Sequence, residues 1–241
     1  MSINPKYYDV IYVGNYTKDT IITPEGTRIV DGGGMNYAAN AGMCLGVRAA
    51  VVTRLAREDE HVVAAIRAAG IDCYPAYSTC STLLTLEYKT LDVDKRCLTL
   101  KSTAGTIQPE HLEGLAAKAI CVSPSLRGEV LLEFFEQMRR RDGVILAADV
   151  QGFVRVLRDE SLVYEPWGEM QKVLSKLDVL KSDAVEASYL TGETDLERAA
   201  RRYVEMGAKA IVLTHAEGVL IHSGSEFHHY AFCLLYTYTC T

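Results

Sequence analysis

DGGGMNYAANAGMCLG, residues 31–46, sets three consecutive glycines ahead of a run of small residues with helical spacing. Glycines there let a ligand or a neighbouring backbone approach closely, and the free N–H groups of a helix start favour oxygen-rich ligands. The spacing GxGxxG is not met, and no strand leads into the glycines as a dinucleotide fold requires. A tight turn packed against a sheet is the competing reading of the stretch.

Working outward, short β-branched runs punctuate the chain: DVIYVG ending at Gly14, AAVVTRL from Ala49, AICVS from Ala119, GVILAADV from Gly143, LDVLKSD from Leu177 and AIVLTH from Ala210. Each reads as a buried strand. Helical patterns lie between them: Glu58 to Gly70, EVLLEFFEQMRRR from Glu129, and Leu196 to Gly207, the last with glycine just past its end. This alternation predicts one α/β domain with a mostly parallel sheet and helices on both faces.

Two segments break the alternation. Residues 18–31 carry two short strands around Pro24, Glu25 and Gly26, and residues 81–102 carry two alternating runs around Asp92 to Lys95. Both read as hairpins. Together they predict a small antiparallel β lid over the C-terminal ends of the parallel strands, where open α/β sheets bind ligands.

Composition narrows the function. The 241 residues carry 25 Lys and Arg against 31 Asp and Glu, a net charge of -6, so no net basic field exists to hold nucleic acid. The run Arg139 to Arg141 closes a helical pattern, where cations complement the macrodipole. No apolar run reaches the roughly 18 residues of a membrane span, and MSINPKYYD lacks a secretion signal's apolar stretch. A cytoplasmic chain, off the membrane, is expected. Seven scattered cysteines with no CxxC pair read as free thiols.

Candidate chemistry gathers at strand ends. Asp19 stands just beyond the first strand, where a carboxylate accepts hydrogen bonds from vicinal hydroxyls; a solvated turn acid is its bland reading. KSDAVEASYLTG, Lys181 to Gly192, and KAIVLTHAEGVLIHSG, Lys209 to Gly224, each follow or contain a strand. Taken together, residues from about Tyr7 to Tyr230 resemble the PfkB family of ribokinase-like carbohydrate kinases.

The resemblance implies roles. Gly32, Gly33 and Gly34, with Asp19, would bind an acceptor sugar, nucleoside or cyclitol, and Asn36 competes with Tyr37 for the family's asparagine after the glycines. The family's NxxE element reads Asp183 to Glu186 here, implying donor-phosphate contact near Lys181 and a water-held Mg²⁺ at Glu186. Asp for Asn at 183 keeps the size of the side chain and removes two hydrogen-bond donors. Thr214 and Gly218 carry over from the nucleotide-lining Thr-x-Gly-x-x-Gly element, with Ala216 in place of its first glycine. Asp149 and Gln151, ending a central strand, and Arg96, on the second hairpin, are further acceptor-side candidates. ATP and Mg²⁺ are the implied cofactors, and pairing of family members through their flaps implies a homodimer through the lid.

The family's Gly-Ala-Gly-Asp-type motif, with its catalytic base, is not found in the sequence. The expected function is therefore phosphorylation of a small polyol hydroxyl by a protein whose catalytic C-terminal segment this chain lacks; a non-catalytic sugar- or nucleoside-binding protein of the same fold is the alternative. Residues 232–241 are expected to be a non-native tail, because Cys233 to Thr237, CLLYT, is what the transposon end TGTCTCTTATACACA encodes.

Overall fold

The computed structural model describes residues 5–90 and 96–232. The expected turn at Asp92 to Lys95 lies outside them, as does the expected tail apart from Phe232. In chain order the elements are β1 (Lys6–Val13), β2 (Thr17–Thr23), β3 (Gly26–Gly32), α1 (Gly34–Cys44), β4 (Ala49–Ala56), α2 (Glu60–Ala68), β5 (Asp72–Ser78), β6 (Thr82–Tyr88) and β7 (Arg96–Ser102). They continue with β8 (Leu115–Val122), α3 (Leu132–Arg139), β9 (Ile145–Asp149), α4 (Gln151–Val154), β10 (Arg155–Arg158), β11 (Ser161–Tyr164), α5 (Met170–Leu174) and β12 (Val179–Asp183). The last are α6 (Ala184–Thr191), α7 (Leu196–Glu205), β13 (Ala210–His215), β14 (Gly218–Ser223) and β15 (Glu226–Ala231).

Nine strands form the main sheet in the order β15-β14-β13-β12-β9-β8-β1-β4-β5. From β13 to β5 every neighbouring pair is parallel, and β14 and β15 close one edge antiparallel. The six runs expected as strands all lie in this sheet. β5 occupies the other edge, where Pro75 removes no ladder hydrogen bond that a central strand would need.

Alternating residues of β1 feed two apolar layers, as the period of a strand dictates. Ile11 and Val13 join Phe134 and Phe135 of α3, Val173 and Leu174 of α5, and Tyr203 of α7. Tyr12 faces the other way, onto Met35 and Ala39 of α1 and Val62, Val63 and Ile66 of α2. Helices therefore cover both faces. Arg139 and Arg141 are structural: the Arg139 guanidinium binds Asp178 and the Lys176 carbonyl, and Arg141 donates to the carbonyls of Leu115 and Leu112.

A second sheet of six strands runs β10-β11-β7-β6-β2-β3. Both expected hairpins are present in it, but the sheet is mixed rather than purely antiparallel. β2 and β6 pair in parallel, Thr17 opposite Thr82 and Asp19 opposite Leu84, because both strands leave the same end of the main sheet, after β1 and after β5. A third hairpin, β10–β11, extends the lid through Ser161 beside Thr99. Its two-residue turn holds Asp159 and Glu160 at φ 45° and 68°, the left-handed pair a tight hairpin requires, without the glycine that usually marks it.

Among the described residues no helix is long and apolar enough to cross a membrane. Cys44, Cys73, Cys80, Cys97 and Cys121 are free thiols.

Candidate active site

The carboxyl ends of β1, β8, β9, β12 and β13 face the side on which the lid departs, and two clusters of polar side chains form there. The first is built on the β1 exit. Asp19, on β2, has its carboxyl pushed above the usual range by burial, against the opposing effect of the Thr17 hydroxyl. Its Oδ1 is buried with no partner among the described residues. An unpaired buried carboxylate oxygen is costly unless something accepts the role of donor, and a ligand hydroxyl is a donor of the right kind.

The three glycines shape the wall of this cradle. A Cβ on Gly32 would collide with Asp19 Oδ2 and lie 2.7 Å from Thr17 Oγ1. Gly33 has φ 103°, and a Cβ there would lie 2.7 Å from the Asn15 carbonyl oxygen. At Gly34 the obstacle would be Ser123 Cβ at 2.9 Å. α1 then begins with the Asn36 amide donating to the Gly33 carbonyl at 3.0 Å. Asn36 is half-buried while Tyr37 is 61% exposed, so Asn36 is the better placed of the two; its Oδ1 accepts from Asn40 at 3.1 Å.

The second cluster spans β9, β12 and α6. Parallel pairing sets Lys181 beside Asp149 in register, and Lys181 Nζ lies 3.0 Å from Asp149 Oδ2. Burial works against the Lys181 charge, yet Asp149 and Glu186 outweigh it and raise its pKa. Asp183 caps α6 by accepting from the Glu186 amide at 2.7 Å, and Glu186 Oε2 accepts from the Asp183 amide at 2.9 Å. This reciprocal pair is a capping box, which a DxxE sequence supplies as readily as NxxE. Glu186 is fully buried, its Oε1 has no partner among the described residues, and burial with Asp183 and Asp149 nearby pushes its carboxyl up to about 7.

Asp149, an acceptor-side candidate from the sequence, is ion-paired with Lys181 in this second cluster. Gln151 follows it at the start of α4, its amide donating to Asp149 Oδ1 at 3.0 Å. Arg96 is not brought to either cluster. It stands at the outer end of its hairpin, opposite Tyr88, and donates to the Tyr88 hydroxyl at 3.1 Å. Thr214 lies beside Asp183 across β12 and β13. Gly218 opens β14, where a Cβ would collide with the Tyr230 carbonyl oxygen, so strand packing alone accounts for a glycine there.

No group of three or more metal-ligating side chains occurs among the described residues. The orphaned Glu186 oxygen fits Mg²⁺ held through one carboxylate and its own waters, the coordination that ion favours at phosphate sites. A cleft of about 460 Å³ lined by Lys6, Arg67, Asp72 and His111 lies along β5, away from both clusters, and its Lys6 is paired with Asp72 at 2.7 Å.

Sequence reasoning missed four buried polar residues around the first cluster: Asn15, Thr17, Ser123 and Glu129. Asn15 and Thr17 precede Asp19 in the same GNYTKD run, which was the available signal. Glu129 gave none, since it reads as the start of a helix.

No protein-family model matches the chain. Among solved structures, a pyrophosphate-dependent kinase in the ribokinase family, complexed with a pyrophosphate analogue and myo-inositol, is 32% identical with a TM-score of 0.86, over 92% of this chain and 78% of that one. A sulfate complex of a pyrophosphate-dependent kinase in the ribokinase family is 33% identical with a TM-score of 0.87, over 92% and 79%. Among curated proteins, the cytidine kinase of Thermococcus kodakarensis is 24% identical over 224 residues, 90% of this chain and 77% of that protein.

Proposed function

The chain belongs to the ribokinase family, and from that membership we propose that its two clusters bind a cyclitol acceptor of the myo-inositol kind and a pyrophosphate donor for phosphoryl transfer to an acceptor hydroxyl. The observation that carries the acceptor half is the buried, unpartnered Asp19 Oδ1 beside a glycine wall that admits no Cβ. Relatives 32–33% identical support the cyclitol and the donor.

Lys181 is the cation available to donor phosphates, and Glu186 would hold Mg²⁺ through water. When bound, Mg²⁺ neutralises charge on the transferring phosphoryl group. Asp183 is engaged as a helix cap and offers the donor no hydrogen. ATP is the second reading, favoured by Thr214 and Gly218 at the β13–β14 turn; Ala216, where the nucleotide-lining element has glycine, favours pyrophosphate. The family's base motif is not found in these 241 residues, and binding without turnover is part of the proposal. Pairing of two copies through the lid belongs to it as well, since Ile29, Leu157 and Val163 are exposed on lid strands.

Calorimetry on this chain tests the reading. Myo-inositol should bind more tightly than ribose or cytidine, and pyrophosphate more tightly than ATP. An absence of polyol affinity overturns the acceptor assignment, tighter ATP binding replaces the donor, and acceptor-dependent phosphate release overturns binding without turnover. Sedimentation decides the pairing.

A further inference from the structure

Glu129 is 1% exposed and lies beside the Asp19 cluster, at the root of the lid. Its Oε2 accepts from the Ser125 amide at 2.7 Å, and its Oε1 from the Thr82 hydroxyl at 3.4 Å. The Asn15 side chain and the Leu126 backbone amide also favour its ionised form. Asn15 lies between β1 and β2, the chain's first passage into the lid. Thr82 is the first residue of β6, the second passage. The return from β7 is tied to the same two residues: Asn15 Nδ2 donates to the Gly105 carbonyl at 2.8 Å, and Thr82 Oγ1 accepts from the Ala104 amide at 3.1 Å.

These donors are all neutral. Arg127, two residues before Glu129, directs its guanidinium to the carbonyls of Phe153 and Glu165 rather than to the Glu129 carboxylate. A buried carboxylate held only by neutral donors is a costly arrangement that a leucine or methionine would avoid. What it gains is geometric: one buried acceptor holds the start of β6 at Thr82, and Thr82 and Asn15 in turn hold the return from β7.

We propose that Glu129 is a positioning residue for the acceptor site, acting through Asn15 and Thr82 to fix the root of the lid and hence Asp19 and the glycine wall. Thr17 sits opposite Thr82 in the lid ladder, and the Asn15 carbonyl oxygen is the atom that a Cβ on Gly33 would meet. A shift at Asn15 or Thr82 therefore moves both walls of the Asp19 cradle. The role rests on the cyclitol-binding reading for its ligand but not for its geometry.

Glu129→Gln keeps the shape and replaces one acceptor oxygen by a donor that must face donors. Hydrogen exchange on the ligand-free protein reads the geometry. In the variant, amides of residues 15–17, 82–84 and 104–105 should exchange at least ~10-fold faster, the equivalent of one or two lost hydrogen bonds, while β12 and β13 keep their protection. Calorimetry with myo-inositol reads the function. Affinity should fall ~10-fold, one hydrogen bond's worth; in the native protein it should tighten from pH 6 to pH 8.5 as the carboxylate ionises and accepts its donors, and in the variant it should not.

Unchanged exchange at the three crossings, or a uniform rise over the whole molecule, overturns the proposal. So does an unchanged affinity and pH profile where the native protein binds myo-inositol. If the native protein binds none, the cyclitol reading fails and the exchange result still decides the role of Glu129.

Discussion

Lys181 Nζ lies 3.0 Å from the carboxylate of Asp149, an ion pair set by the parallel register of β12 and β9. The pair is about one-third exposed on the lysine side and one-quarter on the aspartate side, so solvent weakens it. Its importance is local electrostatics: Lys181 is the cation that acts on Glu186 while Asp149 and Asp183 oppose it.

Lys181→Met should therefore cost stability and donor affinity together. Removing the cation leaves Asp149 and Glu186 facing each other, and losses on the order of 1–2 kcal/mol are expected for a half-buried pair. Thermal unfolding with and without pyrophosphate checks this. The native protein should gain melting temperature from pyrophosphate, and the variant should gain none.

Gly32→Ala should damage acceptor binding more than folding. The added methyl would meet Asp19 Oδ2 and Thr17 Oγ1, both side-chain atoms that can turn aside. Overpacking of this kind costs roughly 1–3 kcal/mol, but here relief comes by displacing the carboxylate that binds hydroxyls. Calorimetry should show polyol affinity lost while urea unfolding shifts modestly. Retained affinity would place the acceptor elsewhere.

The main sheet was legible because its buried parallel strands are dense β-branched runs, and α2 and α7 because apolar residues recur at helical spacing. β5 was not, since Pro75 and two tyrosines dilute its pattern at a sheet edge. The β10–β11 hairpin was hidden by a turn of Asp159 and Glu160, whose left-handed conformations carry no glycine signal. Asp19 could be picked out because it follows the first strand closely. The ion pair of Asp149 was not legible because its partner, Lys181, lies 32 residues away and meets it only through sheet register. Glu129 was unreadable for the same reason: its meaning lies in Asn15 and Thr82, which fold to it from 114 and 47 residues distant.

Asp183→Asn should leave α6 intact and strengthen anion binding. Asparagine caps helices about as well as aspartate, whereas Asp183→Ala should cost about 1 kcal/mol by losing the acceptor for the Glu186 amide. Asparagine also removes a negative charge beside Glu186 and supplies two donors. Urea unfolding should rank native and Asn forms together above Ala. Pyrophosphate titration should show the Asn form binding more tightly; equal affinity would mean that position 183 lies beyond the donor's reach.

Stability should decline as pH rises from about 4.5 towards neutrality. Burial pushes the Glu129 carboxyl from 4.5 up to about 7, with the donors of Ser125, Asn15 and Thr82 offsetting only part of that penalty. Between those values the folded protein binds a proton that the unfolded chain has released, so unfolding loses protons and stability falls with increasing pH. Below about pH 4.5 both states are protonated and the slope vanishes; above about 7 both are ionised, and the full penalty, on the order of 3 kcal/mol for a shift of this size, is present. Glu186, also raised to about 7, adds a slope of the same sign. Urea unfolding from pH 5 to pH 8 should therefore show a falling midpoint for the native protein and a shallower fall for Glu129→Gln. Equal slopes in the two proteins would mean that Glu129 titrates alike folded and unfolded, and that its carboxylate reaches water the lid root is built to exclude.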